Sequence, residues 1–289
     1  MRFSHVILAG DSEPTFIAKS GDRALPVSSL VDDAPSSLQE LVERGPAEWA
    51  RVREALEAGR GEAVSLDGAA YASAVNRPPA IMAVGLNYAA HSGELNLKTD
   101  STPTVFTLWP NSLAGHGETT TWSREMSEAV DYEAELGVVI GRPAREVTEE
   151  EALDYVFGYT VVNDISARNI QYSEAQWSRC KSLDGFTPTG PDVVTADEIA
   201  DPQDLHIWTT VDGETVQDAS TGQMVRSVAK LIAHLSKGIT ILPGTLISTG
   251  SPGGSGFSRN PQILLGDGTT VTVAVDGIGE LTTHCRVTD

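Results

Sequence analysis

The sequence predicts an α+β protein whose larger part is β-rich. Three observations point there. Short apolar runs closed by glycine or polar residues recur from Ile81 onward. Only three stretches carry helix signals. Glycine and proline punctuate the final third too densely for long helices.

Taken in order, residues 1–75 form a small N-terminal domain. Strand-like pieces at 6–8 and 15–19 precede a helical stretch at 36–58, which starts at a serine cap and ends at Gly59. Asn76-Arg77-Pro78-Pro79 marks a boundary, because two prolines interrupt regular structure. Residues 76–289 then form the second, catalytic domain. Its predicted strands are 81–84, 136–140, 156–163, 205–211, 245–248 and 270–275. Its predicted helices are 148–155, with Thr148 and Glu151 spaced as a capping box, and 227–236.

Composition narrows the function. The 289 residues carry a net charge of −20, which repels nucleic acid and anionic lipid. An anionic substrate therefore needs a local cation, either a metal or a basic side chain. Two scattered cysteines, Cys180 and Cys285, form neither a disulfide framework nor a zinc cluster. The start lacks the basic-then-apolar order of a signal peptide, and no long apolar run occurs. A reducing, cytoplasmic location is expected, with no membrane partner.

Several residues can carry chemistry. In Asp131-Tyr132-Glu133-Ala134-Glu135 the acids alternate, so on a strand Asp131, Glu133 and Glu135 share one face. They lead into the apolar run 136–140. Such a face either binds a hard divalent cation or is an exposed acidic edge. Asp164 closes an apolar strand and is either a catalytic acid or a turn residue. His91 and Glu94 stand three apart, a spacing that suits a carboxylate-oriented general base or an exposed polar pair. Lys181 precedes a Gly/Pro-rich loop and can hold an oxyanion or simply be solvated. The loop 249–256 is glycine-rich but lacks the phosphate-loop spacing and its lysine, and no G-x-S-x-G elbow occurs.

In this order the motifs resemble the fumarylacetoacetate hydrolase family, from about Pro78 to the C-terminus. Gly85 to Glu94 is similar to its G-x-N-Y-x-x-H-x-x-E segment. Asp131 to Glu135 is similar to its D-x-E-x-E strand, and Asn163 to Arg168 to its N-D-x-[ST]-A-R segment. The resemblance implies a mixed-sheet β-roll catalytic domain beside a small N-terminal α+β domain, Mg²⁺ or Mn²⁺, and a homodimer. It also implies site roles. Glu133, Glu135 and Asp164 would be metal ligands, His91 and Glu94 a base dyad, and Lys181 the group holding a substrate carboxylate or enolate. Arg168, Gln171 and Thr249 would meet the substrate.

The implied reaction is hydrolysis of a C–C bond in a 2-oxo acid such as an acylpyruvate, as in aromatic catabolism, by way of a metal-stabilised enolate. The same electron sink serves a 2-oxo acid decarboxylase or tautomerase acting on an oxaloacetate-type acid, or a hydroxymuconate-type isomerase. Residues 92–103 are expected to cover the site as a lid. Two positions depart from the family pattern. Leu108 stands where lysine is usual and Ser251 where threonine is usual. If Leu108 faces the pocket, a substrate with a neutral distal end is favoured.

Overall fold

The computed structural model describes residues 1–94 and 102–289, apart from the side chains of His91 and Ser92. Among these residues, two sheets organise the fold. The large sheet has eleven strands and mixes parallel with antiparallel pairs. A smaller five-stranded sheet packs on one of its faces. This is the α+β, mixed-sheet architecture that the sequence predicts.

The strand Ala134–Ile140 lies at the centre of the large sheet, between Val156–Asn163 and Leu246–Ser248. All seven of its residues are buried. Both faces are covered, and that explains an apolar run where a half-exposed strand would alternate. Leu136, Val138 and Ile140 point toward the small sheet, where they join Ile207, Val273 and Leu281. Val139 points the other way, with Phe3, Leu41 and Val52 of the N-terminal region.

The N-terminal segment joins the large sheet directly, because Arg2–Ile7 pairs antiparallel with Thr187–Thr195. Two differences from expectation have local causes. The helical stretch 36–58 is two helices, Leu38–Arg44 and Pro46–Glu57. Gly45, at φ 83, ends the first, and Pro46 can start a helix but not continue one. Ser37 caps the first by accepting from the Glu40 N–H at 3.2 Å. The predicted helix 148–155 reduces to a single 3₁₀ turn, Ala152–Tyr155, although Thr148 and Glu151 do bond side chain to side chain.

The predicted helix 227–236 is present as Val228–Leu235, with the Ser227 hydroxyl accepting from the Lys230 N–H. None of the described helices is long and apolar enough to cross a membrane.

Candidate metal centre

Three backbone features bring the acidic residues together. The two-residue strand Val130–Asp131 ends just before Ala134–Ile140 begins, so Glu133 sits at the break. Asn163 ends the neighbouring strand, and its side-chain oxygen accepts from the Glu133 N–H at 3.2 Å. The next residue, Asp164, donates its own N–H to the Glu133 carbonyl at 2.9 Å. The Asp164 carboxylate is thereby pinned beside Glu133.

One carboxylate oxygen from each of Glu133, Glu135 and Asp164 lies within 4.8 Å of the others, and all three residues are buried. Glu135 Oε2 accepts from the Ser248 hydroxyl at 2.5 Å and from the Gly250 N–H at 2.8 Å. Gly250 has φ +96, and a Cβ there would stand 2.8 Å from the Val84 carbonyl oxygen. Only glycine lets that N–H reach the carboxylate.

Two buried cations thread the cluster. Lys181 Nζ donates to Glu133 Oε2 and Asp164 Oδ2, both at 2.6 Å, and to Ser166 Oγ at 2.8 Å. Arg168 donates to Asp131 Oδ1 at 2.6 Å, Glu133 Oε1 at 2.7 Å and Gln171 Oε1 at 2.8 Å. Asp131 therefore stands outside the triad. Its second oxygen accepts the Phe257 N–H, and its task is to hold Arg168.

Charge decides what the cluster lacks. Among the described residues, four buried carboxylates, on Asp131, Glu133, Glu135 and Asp164, face two buried cations, Arg168 and Lys181. Fully ionised, the site holds an excess of two negative charges, which one divalent cation cancels. Buried excess charge is otherwise relieved by taking up protons. Accordingly, burial pushes the Glu135 carboxyl up to about 8, with Asp164 and Glu133 adding to the shift. Burial also raises Asp164 to about 6, against the pull of Lys181. Burial opposes the Lys181 charge, yet Asp164 and Glu133 raise its pKa. Asp164 Oδ1 has no hydrogen-bond partner although it is buried. An all-oxygen donor set with an unpartnered acceptor fits a hard divalent ion.

A pH dependence follows. Raised carboxyl pKa values mean that the folded chain keeps protons which the unfolded chain releases. The stability they contribute is complete below the ordinary carboxyl range. It is lost as pH rises through about 6 for Asp164 and about 8 for Glu135. In chelator, the unfolding midpoint should fall between about pH 4 and pH 8 and level off above. Saturating Mn²⁺ should flatten that fall, because the ion replaces the protons. Thermal unfolding followed by circular dichroism checks both arms, and a flat profile in chelator contradicts the charge count.

A small cavity opens onto the triad. Lys181, Gln171 and Ser251 line it, together with an apolar wall that includes Leu86, Phe106 and Trp177. The two aromatic rings meet edge to face, 5.5 Å apart. Trp177 lies so close to Gly85 that a Cβ there would come within 2.4 Å of its ring.

The other expected site residues are placed as follows. Gln171 lines the cavity. Arg168 is fully buried behind the carboxylates, with its guanidinium committed to Asp131, Glu133 and Gln171. Thr249 is also fully buried and turns its hydroxyl to the Leu136 carbonyl at 2.8 Å. Its loop reaches the cavity through Ser251. Glu94, on the helix Ala89–Glu94, accepts from the Gly254 N–H at 2.8 Å and from the Ser258 hydroxyl at 3.1 Å. The His91 side chain and most of the expected lid at 92–103 lie outside the described residues. Leu108 is 3% exposed, packs with the N-terminal core and is absent from the cavity lining. It is a packing residue and says nothing about substrate preference.

Residues 80–286 match the model of the fumarylacetoacetate (FAA) hydrolase C-terminal family. The chain belongs to this family. A solved fumarylacetoacetate hydrolase from the psychrophile Exiguobacterium antarcticum is 31% identical, with TM-score 0.82 over all of both chains. A 5-carboxymethyl-2-hydroxymuconate delta-isomerase from Mycobacterium smegmatis is 28% identical, with TM-score 0.77 over all of both chains. A 2-hydroxyhepta-2,4-diene-1,7-dioate isomerase from Mycobacterium marinum is 27% identical, with TM-score 0.75 over 99% of this chain and 98% of that one. FAA hydrolase family membership, the shared fold and the buried acidic triad together support an enzymatic, metal-assisted role. The family holds both hydrolases and isomerases, so membership alone leaves the reaction open.

Proposed function

We propose that this chain is a Mg²⁺- or Mn²⁺-dependent enzyme of small 2-oxo acids, and that it catalyses a hydroxymuconate-type isomerisation. The observation that carries the reading is the pairing of a triad in negative excess with a wall of Leu86, Phe106 and Trp177 in one small cavity. Glu133, Glu135 and Asp164 would hold the ion. When bound, the ion supplies Lewis-acid polarisation of a substrate oxygen. Lys181 spends its three N–H groups on Glu133, Asp164 and Ser166, and its positive charge at the cavity wall would still favour negative charge developing on the substrate. The apolar wall of Leu86, Phe106 and Trp177 suits a proton moved within the substrate better than the activation of water as a second reactant. His91 would take the proton of the 2-hydroxyl group at its imidazole and deliver a proton to the far carbon of the diene, so that the 2-hydroxydiene becomes a 2-oxo-ene. Glu94 secures the helix that carries His91 by its bonds to Gly254 and Ser258. The likeness to two isomerases along nearly the whole chain supports the same reading.

Hydrolysis of a C–C bond is the second reading, favoured by the likeness to the Exiguobacterium hydrolase. There the His91 imidazole would take its proton from water attacking an acyl carbonyl. Either way, His91→Ala should lower kcat by about 10²–10⁴ while the fold survives, as read by steady-state rates beside circular dichroism. A change of only a few-fold would remove His91 from the chemistry.

Isotopes separate the two reactions. The Mn²⁺-loaded enzyme is incubated with a 2-hydroxy-dienedioic acid and, separately, with an acylpyruvate, each in D₂O and in H₂¹⁸O. Isomerisation deposits deuterium on carbon and leaves the skeleton whole. Cleavage that releases pyruvate, with ¹⁸O in the second acid, would replace the isomerase reading by the hydrolase one.

A further inference from the structure

The strand Glu214–Ser220 belongs to the small sheet and lines no part of the cavity. One of its side chains nonetheless reaches the metal-binding strand. Gln217 is 1% exposed, and its amide makes four hydrogen bonds, as many as the group can form. Oε1 accepts from the Ala134 N–H at 3.0 Å and from the Thr209 hydroxyl at 2.7 Å. Nε2 donates to Ser251 Oγ and to the Pro252 carbonyl, both at 2.9 Å. The orientation of the amide is forced, since the Ala134 N–H only donates and the Pro252 carbonyl only accepts.

These partners are not scattered. Ala134 lies between Glu133 and Glu135, the two triad members on this segment. Ser251 lines the cavity, and its loop also supplies the Gly250 N–H held by Glu135. Gln217 therefore closes a ring that runs from Ala134 to Glu135, from there to Gly250 and Ser251, and back through the amide. Any shift of the loop relative to the carboxylates breaks one of its bonds, and an unpaired buried amide is costly.

We propose that Gln217 is a positioning residue. It fixes the separation between the carboxylate strand and the Ser251 loop, and so sets how a chelating dicarboxylate or 2-oxo acid is held. The inference rests on the reading that the triad binds a divalent cation.

The test uses the full chain, Mn²⁺ and oxalate. Calorimetric titration gives the affinity for Mn²⁺, and then the affinity of the loaded protein for oxalate, in the parent, in Gln217→Met and in Thr209→Val. Thermal midpoints are measured alongside. Gln217→Met should weaken oxalate binding about tenfold or more, and Thr209→Val about threefold. Mn²⁺ affinity should fall less than oxalate affinity, since no metal ligand is changed. A purely structural role would lower the midpoints and leave oxalate affinity at the parent value, and that result overturns the proposal. If Gln217→Met does not fold, Thr209→Val decides by the same criterion. A parent protein that takes up no Mn²⁺ would instead sink the proposed function itself.

Discussion

Exchanging Glu135 for glutamine and exchanging Glu133 for glutamine should have opposite effects on the metal-free fold, while both abolish turnover. Among the described residues, Glu135 takes its hydrogen bonds from neutral donors, Ser248 and Gly250. Glu135→Gln keeps an acceptor for them and removes one of the two excess negative charges. Above about pH 8, where Glu135 ionises, the variant should unfold at a higher temperature than the parent in chelator. Glu133 instead receives both Arg168 and Lys181. Glu133→Gln strips a buried carboxylate from two buried cations and should cost about 3–5 kcal/mol, the usual penalty for breaking a buried pair. Turnover should be lost in both variants, with partial recovery at high Mn²⁺. Denaturant unfolding in chelator, run beside steady-state assays, reads both effects. Equal destabilisation by the two substitutions would show that the cations do not divide the carboxylates as described.

The second large effect concerns Arg168. It is the largest fully buried side chain among the described residues, and it holds two carboxylates and the cavity-lining Gln171 at once. Arg168→Met approximates the bulk of the side chain but removes its charge. The site is left with an excess of three negative charges, more than one divalent ion cancels. The expected loss is about 3–5 kcal/mol, a fall of roughly 10 °C in the unfolding midpoint, and saturating Mn²⁺ should recover only part of it. If the variant matches the parent midpoint in Mn²⁺, Arg168 is a substrate contact rather than the support of Asp131 and Glu133.

Much of this site was legible in the sequence. The alternation Asp131, Glu133, Glu135 allowed either a cation-binding face or an exposed acidic edge, the family resemblance favoured the first, and Asp164 fell where the next strand ends. The central strands were legible too, since a run such as 156–163 has one reading once its length and flanks are known. The strand Thr187–Thr195 was not, because Pro188, Gly190 and Pro191 mimic a loop. It survives because Arg2–Ile7 and Val156–Asn163 pair with it on either side. The division of labour among the acids was also hidden. By periodicity Asp131 and Glu133 look equivalent; the resemblance left Asp131 out of the ligand set, and the path of Arg168 gives the physical reason. Gln217 and Trp177 gave no signal, since they enter the site from distant elements and neither stands in a recognisable pattern. Leu108 shows the converse case, a departure from the family pattern that proves to be core packing.

Counting the bound ion is the most direct test of whether the buried charge excess is a divalent metal site. Equilibrium dialysis against Mn²⁺, with proton release followed by calorimetry in buffers of different ionisation enthalpy, gives stoichiometry and linkage together. The charge count predicts one Mn²⁺ per chain, with affinity that strengthens from about pH 6 to pH 8 and protons released on binding. Absence of saturable Mn²⁺ uptake, or uptake with the same affinity at both pH values and no proton release, would contradict it.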